Sequence, residues 1–227
     1  IRLWLLRILV PLGGQREFVH NHGFSDDTVA EAIGLGYWID PSPNDFDPKA
    51  VRTELRQLHQ RAEKQLSQST LPASLRQNIS QLSELVGLSS TDCRVLEFAV
   101  SIQNERLLDD AADWLGQLSS TKVFHTLSTL LDLPEPNIRA SLGSQGILAR
   151  SGLVSIDHSG SSFLRCKLNL LSDAFADQMA TAETNPVSLL RGTVAIAPPA
   201  QLSLSDYHHV QATLDILLPY LRHATAT

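Results

Sequence analysis

Cysteine is scarce in this chain. Cys93 and Cys166 stand far apart without CxxC spacing, which removes the case for a disulfide framework or a thiolate zinc site and fits a reducing cytoplasm. Positive charge is in deficit as well: 18 Lys and Arg against 24 Asp and Glu leave a formal charge of −6. The chain as a whole therefore repels phosphate, and any nucleic-acid contact has to come from a local patch. Long apolar runs are missing. The most hydrophobic stretch, IRLWLLRILV at residues 1–10, is broken by Arg2 and Arg7, is too short to span a bilayer and precedes no small-residue cleavage pattern. There is no G-x-S-x-G elbow, no cysteine with an orienting histidine nearby, and no phosphate-loop Lys-Ser/Thr in PLGGQRE or GTVAIAPP. No catalytic or cofactor-binding residue is assigned. What is present, 43% hydrophobic and 19% charged residues over 227 positions, describes a folded chain with one large core or two modest ones.

Apolar spacing predicts helices nearly throughout. Trp4, Leu5, Ile8 and Leu9 share one face of a first helix that Pro11 and Gly13-Gly14 end. Ser25-Asp26-Asp27 can cap a helix through Ala32 and Ile33, and GLGYWIDPSPNDFDP reads as a long ordered loop. Asp47-Pro48 starts a helix with Val51, Leu55, Leu58, Ala62 and Leu66 on one stripe. Residues 67–72 form a plausible hinge, so a helical N-terminal segment is drawn over residues 1–70. Leu75, Ile79, Leu82 and Leu85 follow on an amphipathic helix closed by Gly87.

The most organised stretch runs from Ser89 to about residue 182. Ser89-Ser90-Thr91-Asp92 caps a helix with Val95, Leu96, Ala99 and Ile102, and a second helix from Thr121 carries Phe124, Leu127, Leu130 and Leu131. A tight Leu133-Pro134-Glu135-Pro136 connection leads to a third helix bearing Ile138 and Leu142. A hairpin over residues 153–157 and 163–170 completes it, with Gly160 at the turn. Its second arm is expected to alternate, Leu164, Cys166, Leu168 and Leu170 on one face and Arg165, Lys167 and Asn169 on the other. Helix, helix, tight turn, helix and hairpin is the order of a winged helix-turn-helix. The expected fold is mainly α: the N-terminal segment, a winged-helix-like domain over residues 71–182, and a Pro-containing linker and helix over residues 183–227.

A DNA reader needs a continuous third helix with basic or amide side chains along one face. Gly143 and Gly146 interrupt this one. The candidate nucleic-acid contacts are Arg139, Arg150, Arg165 and Lys167, set against Glu135 and Asp157, with Asp109, Asp110 and Asp113 just upstream and no interleaved aromatic platform. That is a thin basic patch. The three aspartates have DDxxD spacing, but no second acidic motif faces them, and a solvated helix face is the simpler reading. His20-Asn21-His22 and His208-His209 lack the i, i+4 helical geometry of a zinc site. No metal ligand is assigned.

From Glu183 the chain passes through three prolines before a last helix from Ser205-Asp206, whose stripe of Val210, Leu214, Leu217 and Leu221 is expected to be buried. The segments LARSGLVSID…LNLLSDAFADQM and LLRGTVAIAPPAQLSLSDYHHVQATLDILLPYLRHA resemble the region N-terminal to the nucleotide-binding module of bacterial AAA-family ATPases, over roughly residues 75–227. The start without Met and the HATAT end fit a piece of a longer protein. The resemblance implies a non-catalytic accessory region that contacts a substrate, an adaptor, a neighbouring subunit or its own ATPase module. ATP and Mg²⁺, and any homo-oligomer, would belong to the full-length protein, and no Walker or arginine-finger residue is present to carry over. The alternative is a DNA-binding winged-helix transcriptional regulator.

Overall fold

Helix starts are set by short polar side chains that satisfy the first free backbone N–H groups. In the computed structural model, which describes residues 1–39, 46–65, 72–181, 206 and 211–224, Asp26 accepts from Val29 N at 3.0 Å and Asp47 from Lys49 N at 2.8 Å. Ser89 and Asp92 form a reciprocal capping box: Asp92 N donates to Ser89 Oγ at 3.2 Å, and Ser89 N to Asp92 Oδ2 at 2.9 Å. Left-handed residues close several helices, Gly34 and Gly87 at φ 95° and 77°, and Asp132 at φ 51°.

The resulting order is α1 (Arg2–Leu9), α2 (Gln15–Phe18), α3 (Asp27–Ile33), a 3₁₀ turn at Gly36–Trp38, α4 (Pro48–Lys64), α5 (Ala73–Val86), α6 (Ser90–Asn104) and α7 (Arg106–Asp113). There follow α8 (Ser120–Leu131), α9 (Glu135–Leu142), α10 (Ile147–Arg150), β1 (Val154–Ile156), α11 (Leu164–Lys167), β2 (Leu168–Leu170), α12 (Asp173–Thr181) and α13 (Gln211–Ala224). The strands pair antiparallel, Val154 with Leu170 and Ile156 with Leu168, and an isolated bridge joins Leu118 to Ser162. Among the described residues no helix is long and apolar enough to cross a membrane.

The segments before and after residue 70 share one core. α1 packs on α4, α7 and α8, and Trp4 meets Phe98 of α6 edge-on at 5.2 Å. α6 is enclosed by α5, α8, α9 and α12, which buries Val95, Leu96, Phe98, Ala99 and Ile102. Residues 1–190 form one compact unit and residues 191–227 a second. Of the segments read from the sequence, residues 40–45 of the long loop, Leu66, residues 67–71 of the hinge and the proline-containing arm lie outside the described residues, as does the start of the last helix apart from Asp206.

Three expectations are corrected. The hairpin's second arm is not a continuous strand, because Leu164–Lys167 make a helical turn and β2 covers Leu168–Leu170 alone. Leu164 and Leu168 are four apart, a spacing that suits both periods, so only residues 166 and 167 discriminate. The helical turn turns Cys166 out and Lys167 in. Leu85 ends the α5 stripe but is 55% exposed, where Gly87 diverts the chain toward α6. In α13 Leu214 is half-buried and Leu217 is exposed, because periodicity marks a face that could be buried without supplying a partner for it.

Candidate functional site

The residues proposed to contact nucleic acid sit on α9, α10 and the hairpin, and the fold treats each differently. α9 ends at Leu142 with Gly143 as its cap, so the interruption read from the glycines is present. Gly146 is required there: a Cβ would collide with the Ser141 carbonyl oxygen. Arg139, on the exposed side of α9, donates from Nε and Nη2 to Glu135 at 2.8 and 2.6 Å, and its guanidinium lies 4.4 Å from the centre of the Phe124 ring. Arg165 reaches across to α6 and α7, donating to Gln103 at 2.7 Å and to Asp109 at 3.0 Å. Arg150 is exposed and ends α10.

Lys167 is the clearest departure from the sequence reading. It is fully buried, and its ammonium donates to the carbonyl oxygens of Asp157, Ser159 and Gly160 at 2.8, 2.9 and 2.9 Å. A buried ammonium is tolerated only when its donors are taken up, and here three of them are. The same turn holds Asp157 from outside: hydrogen bonds from the Ser159 hydroxyl and amide, with a smaller contribution from the Lys167 charge, keep its carboxyl below the usual aspartate range. Lys167 therefore clasps the turn and is withdrawn from any phosphate contact.

The aspartates of α7 are likewise engaged. Asp109 accepts from Arg165, and Asp110 from Arg106 at 2.7 Å. Partial burial, followed by the charges of Asp109 and Asp110, pushes the Asp113 carboxyl above its ordinary range. Among the described residues no group of three His, Cys, Asp or Glu side chains is arranged to hold a metal ion. His208 and His209 lie outside them. Trp114, which caps the end of α7, has its ring 4.9 Å from that of Phe18.

Sequence reading missed Arg7, which patterning placed as an interruption of an apolar run. It is buried, with Nε and Nη2 donating to the two oxygens of Glu63 at 2.7 Å each and Nη1 donating to the Leu130 carbonyl at 2.7 Å. The Arg7 hydrogen bonds are the leading reason that the Glu63 carboxyl is held below the usual glutamate range. The only sequence signal was a lone Arg inside an otherwise buried stripe. The network ties α1 to α4 and to the end of α8, which is a structural role.

Comparison with protein-family models, with curated proteins and with solved structures finds no match to this chain.

Proposed function

We propose that this chain is a protein-contact region, non-catalytic in itself, and that it is the accessory part of an AAA-family ATPase lying N-terminal to the nucleotide-binding module. One observation carries the preference for protein over DNA: of the four basic residues on the α9 and hairpin surface, Lys167 is buried and Arg139 and Arg165 are paired with carboxylates. Phosphate binding is driven by release of counterions from unneutralised phosphates, and Arg150 alone supplies little of that. A winged-helix-like arrangement is supported by the order α6, α8, tight turn, α9 and hairpin, and by the Leu118–Ser162 bridge just ahead of α8. The ATPase assignment is supported by the resemblance of residues 75–227. ATP and Mg²⁺ then belong to the neighbouring module, and that module, an adaptor or a substrate protein is the partner. The free thiols of Cys93 and Cys166 agree with a cytoplasmic setting.

Fluorescence anisotropy with a random DNA duplex tests the preference. The expected result is no binding tighter than the roughly 1–100 μM typical of non-specific contacts at physiological salt. Submicromolar binding that is lost in Arg139→Ala and Arg165→Ala would make the transcriptional-regulator reading the better one. The ATPase assignment is checked separately, by whether the coding sequence after Thr227 carries G-x-x-x-x-G-K-[ST].

A further inference from the structure

A depression of about 600 Å³ opens on the opposite kind of chemistry from the hairpin surface. Arg16, Val19, His20, Asn21, His22, Gly23, Phe24 and Arg52 line it, and no carboxylate is among them. We propose that this depression binds a phosphate monoester group.

The site is framed by α2, the turn at residues 19–24 and α4. α2 carries Arg16, and the chain then makes a tight turn in which His20 N donates to Gly23 O at 2.9 Å and Val19 bridges Phe24. The turn is anchored from below by aromatic packing: the Phe18 ring stacks on Phe24 at 4.9 Å, and Phe24 meets Phe46 edge-on at 5.4 Å. Arg52 reaches the turn from α4. One of its nitrogens, Nη2, donates to the Val19 carbonyl at 2.9 Å, which aims the guanidinium while leaving its other donors unused among the described residues. The Arg16 side chain is exposed and makes no hydrogen bond or ion pair with any described residue.

The histidines add to this. Ser25 Oγ donates its single proton to the Glu17 carbonyl, so at its 2.8 Å contact with His20 it must accept, and His20 Nε2 carries the hydrogen. Nδ1 of His20 is then an acceptor, so the ring open to an anion is that of His22, whose side chain makes no hydrogen bond to a described residue. The backbone N–H groups of Asn21 and His22 also take no acceptor among the described residues. Two guanidinium forks, the His22 imidazole and open backbone donors in one concavity match the three oxygens and double charge of a phosphate monoester better than the single charge of a carboxylate. The depression is larger than one phosphate fills, which leaves room for the group that carries it. This inference rests on residues 16–24 and 52 and is independent of the reading of the α9 and hairpin surface.

The test is calorimetry on the 227-residue chain in phosphate-free buffer. Phenyl phosphate, a phosphoserine peptide and inorganic phosphate are the probes, and acetate is the control. The phosphate esters are expected to bind at least about tenfold more tightly than acetate, and Arg16→Gln and Arg52→Lys are each expected to weaken them by about tenfold, the scale of one charge-assisted contact. Ring resonances of His20 and His22 should move during the titration. Arg16→Gln breaks no side-chain hydrogen bond or ion pair among the described residues, so a loss of binding in it is not a loss of the fold. Tighter binding of the phosphoserine peptide than of phenyl phosphate would identify a modified polypeptide as the source; equal binding would identify a small phosphate ester. Absence of binding up to roughly 10 mM ligand, binding undiminished in both variants, or acetate binding as tightly as the esters would overturn the proposal.

Discussion

The α9 and hairpin surface and the turn at residues 19–24 both gather cations, and they dispose of them in opposite ways. Around the hairpin, Arg139 is neutralised by Glu135 and Arg165 by Asp109, while Lys167 has its donors taken by three backbone carbonyls with the Asp157 carboxylate 3.8 Å away. Around the turn, Arg16 and Arg52 face a depression that no described carboxylate lines. A count of basic residues along the chain favours the first region; the charge left over for a ligand favours the second. What a patch can bind is decided by its unmatched donors, since a matched one must first give up its partner.

The largest effect is expected at the most completely matched cation. Lys167→Met keeps the apolar stem but leaves three carbonyls of the 157–160 turn without their donor, at a cost of roughly 2–4 kcal/mol. Urea denaturation measures it, and a loss below about 0.5 kcal/mol, the range of ordinary surface substitutions, would mean that the ammonium does not hold the turn.

A somewhat smaller effect, with a pH signature, is expected at Arg7. Glu63→Gln leaves that buried guanidinium short of its anion, at roughly 2 kcal/mol near neutral pH once the partial exposure of Glu63 is allowed for. The native Glu63 carboxyl lies below its ordinary range, held there first by the Arg7 hydrogen bonds. Its contribution is therefore fully present above the unfolded-state value and is lost as pH falls through the lower native value. The gap in stability between the native chain and Glu63→Gln should narrow over that acid interval and stay constant above it. A gap that widens on acidification would contradict the pairing.

The smallest effects sharpen the comparison from the exposed side. Arg139→Ala and Arg165→Ala remove surface ion pairs, each expected to cost about 0.5 kcal/mol or less in thermal or urea unfolding. A loss several times larger at Arg165 would show that its bridge from the hairpin to α6 and α7 carries packing as well as charge.

Much of the architecture was legible in advance. Asp26, Asp47 and Ser89 announce their helices, Gly87 ends α5, and the stripes of α1, α6 and α8 are buried as their spacing requires, as is that of α4 from Val51 to Leu58. The candidate sites were less so. Arg139 and Glu135, four apart on one helix, could be paired by inspection, whereas Arg165 meets Asp109 across 56 positions and Gln103 across 62. His20-Asn21-His22 was weighed as a metal motif and dismissed on helical spacing; nothing in the sequence placed Arg52 of α4 beside it.

Local rules suffice for helices because a cap, a stop and an i, i+4 stripe are all written within a few residues. By itself the sequence determined a mainly helical chain and the caps and apolar stripes of its longer helices; the short helices α2, α10 and α11, and α12, were not read from it. Tertiary structure alone decided that Leu164–Lys167 coil where alternation called for a strand, that Arg7 and Lys167 go inside, and that Arg16 and Arg52 remain available. The burial and pairing of a charge depend on partners brought from distant positions, and along the chain an ammonium enclosed by carbonyls reads the same as one in water.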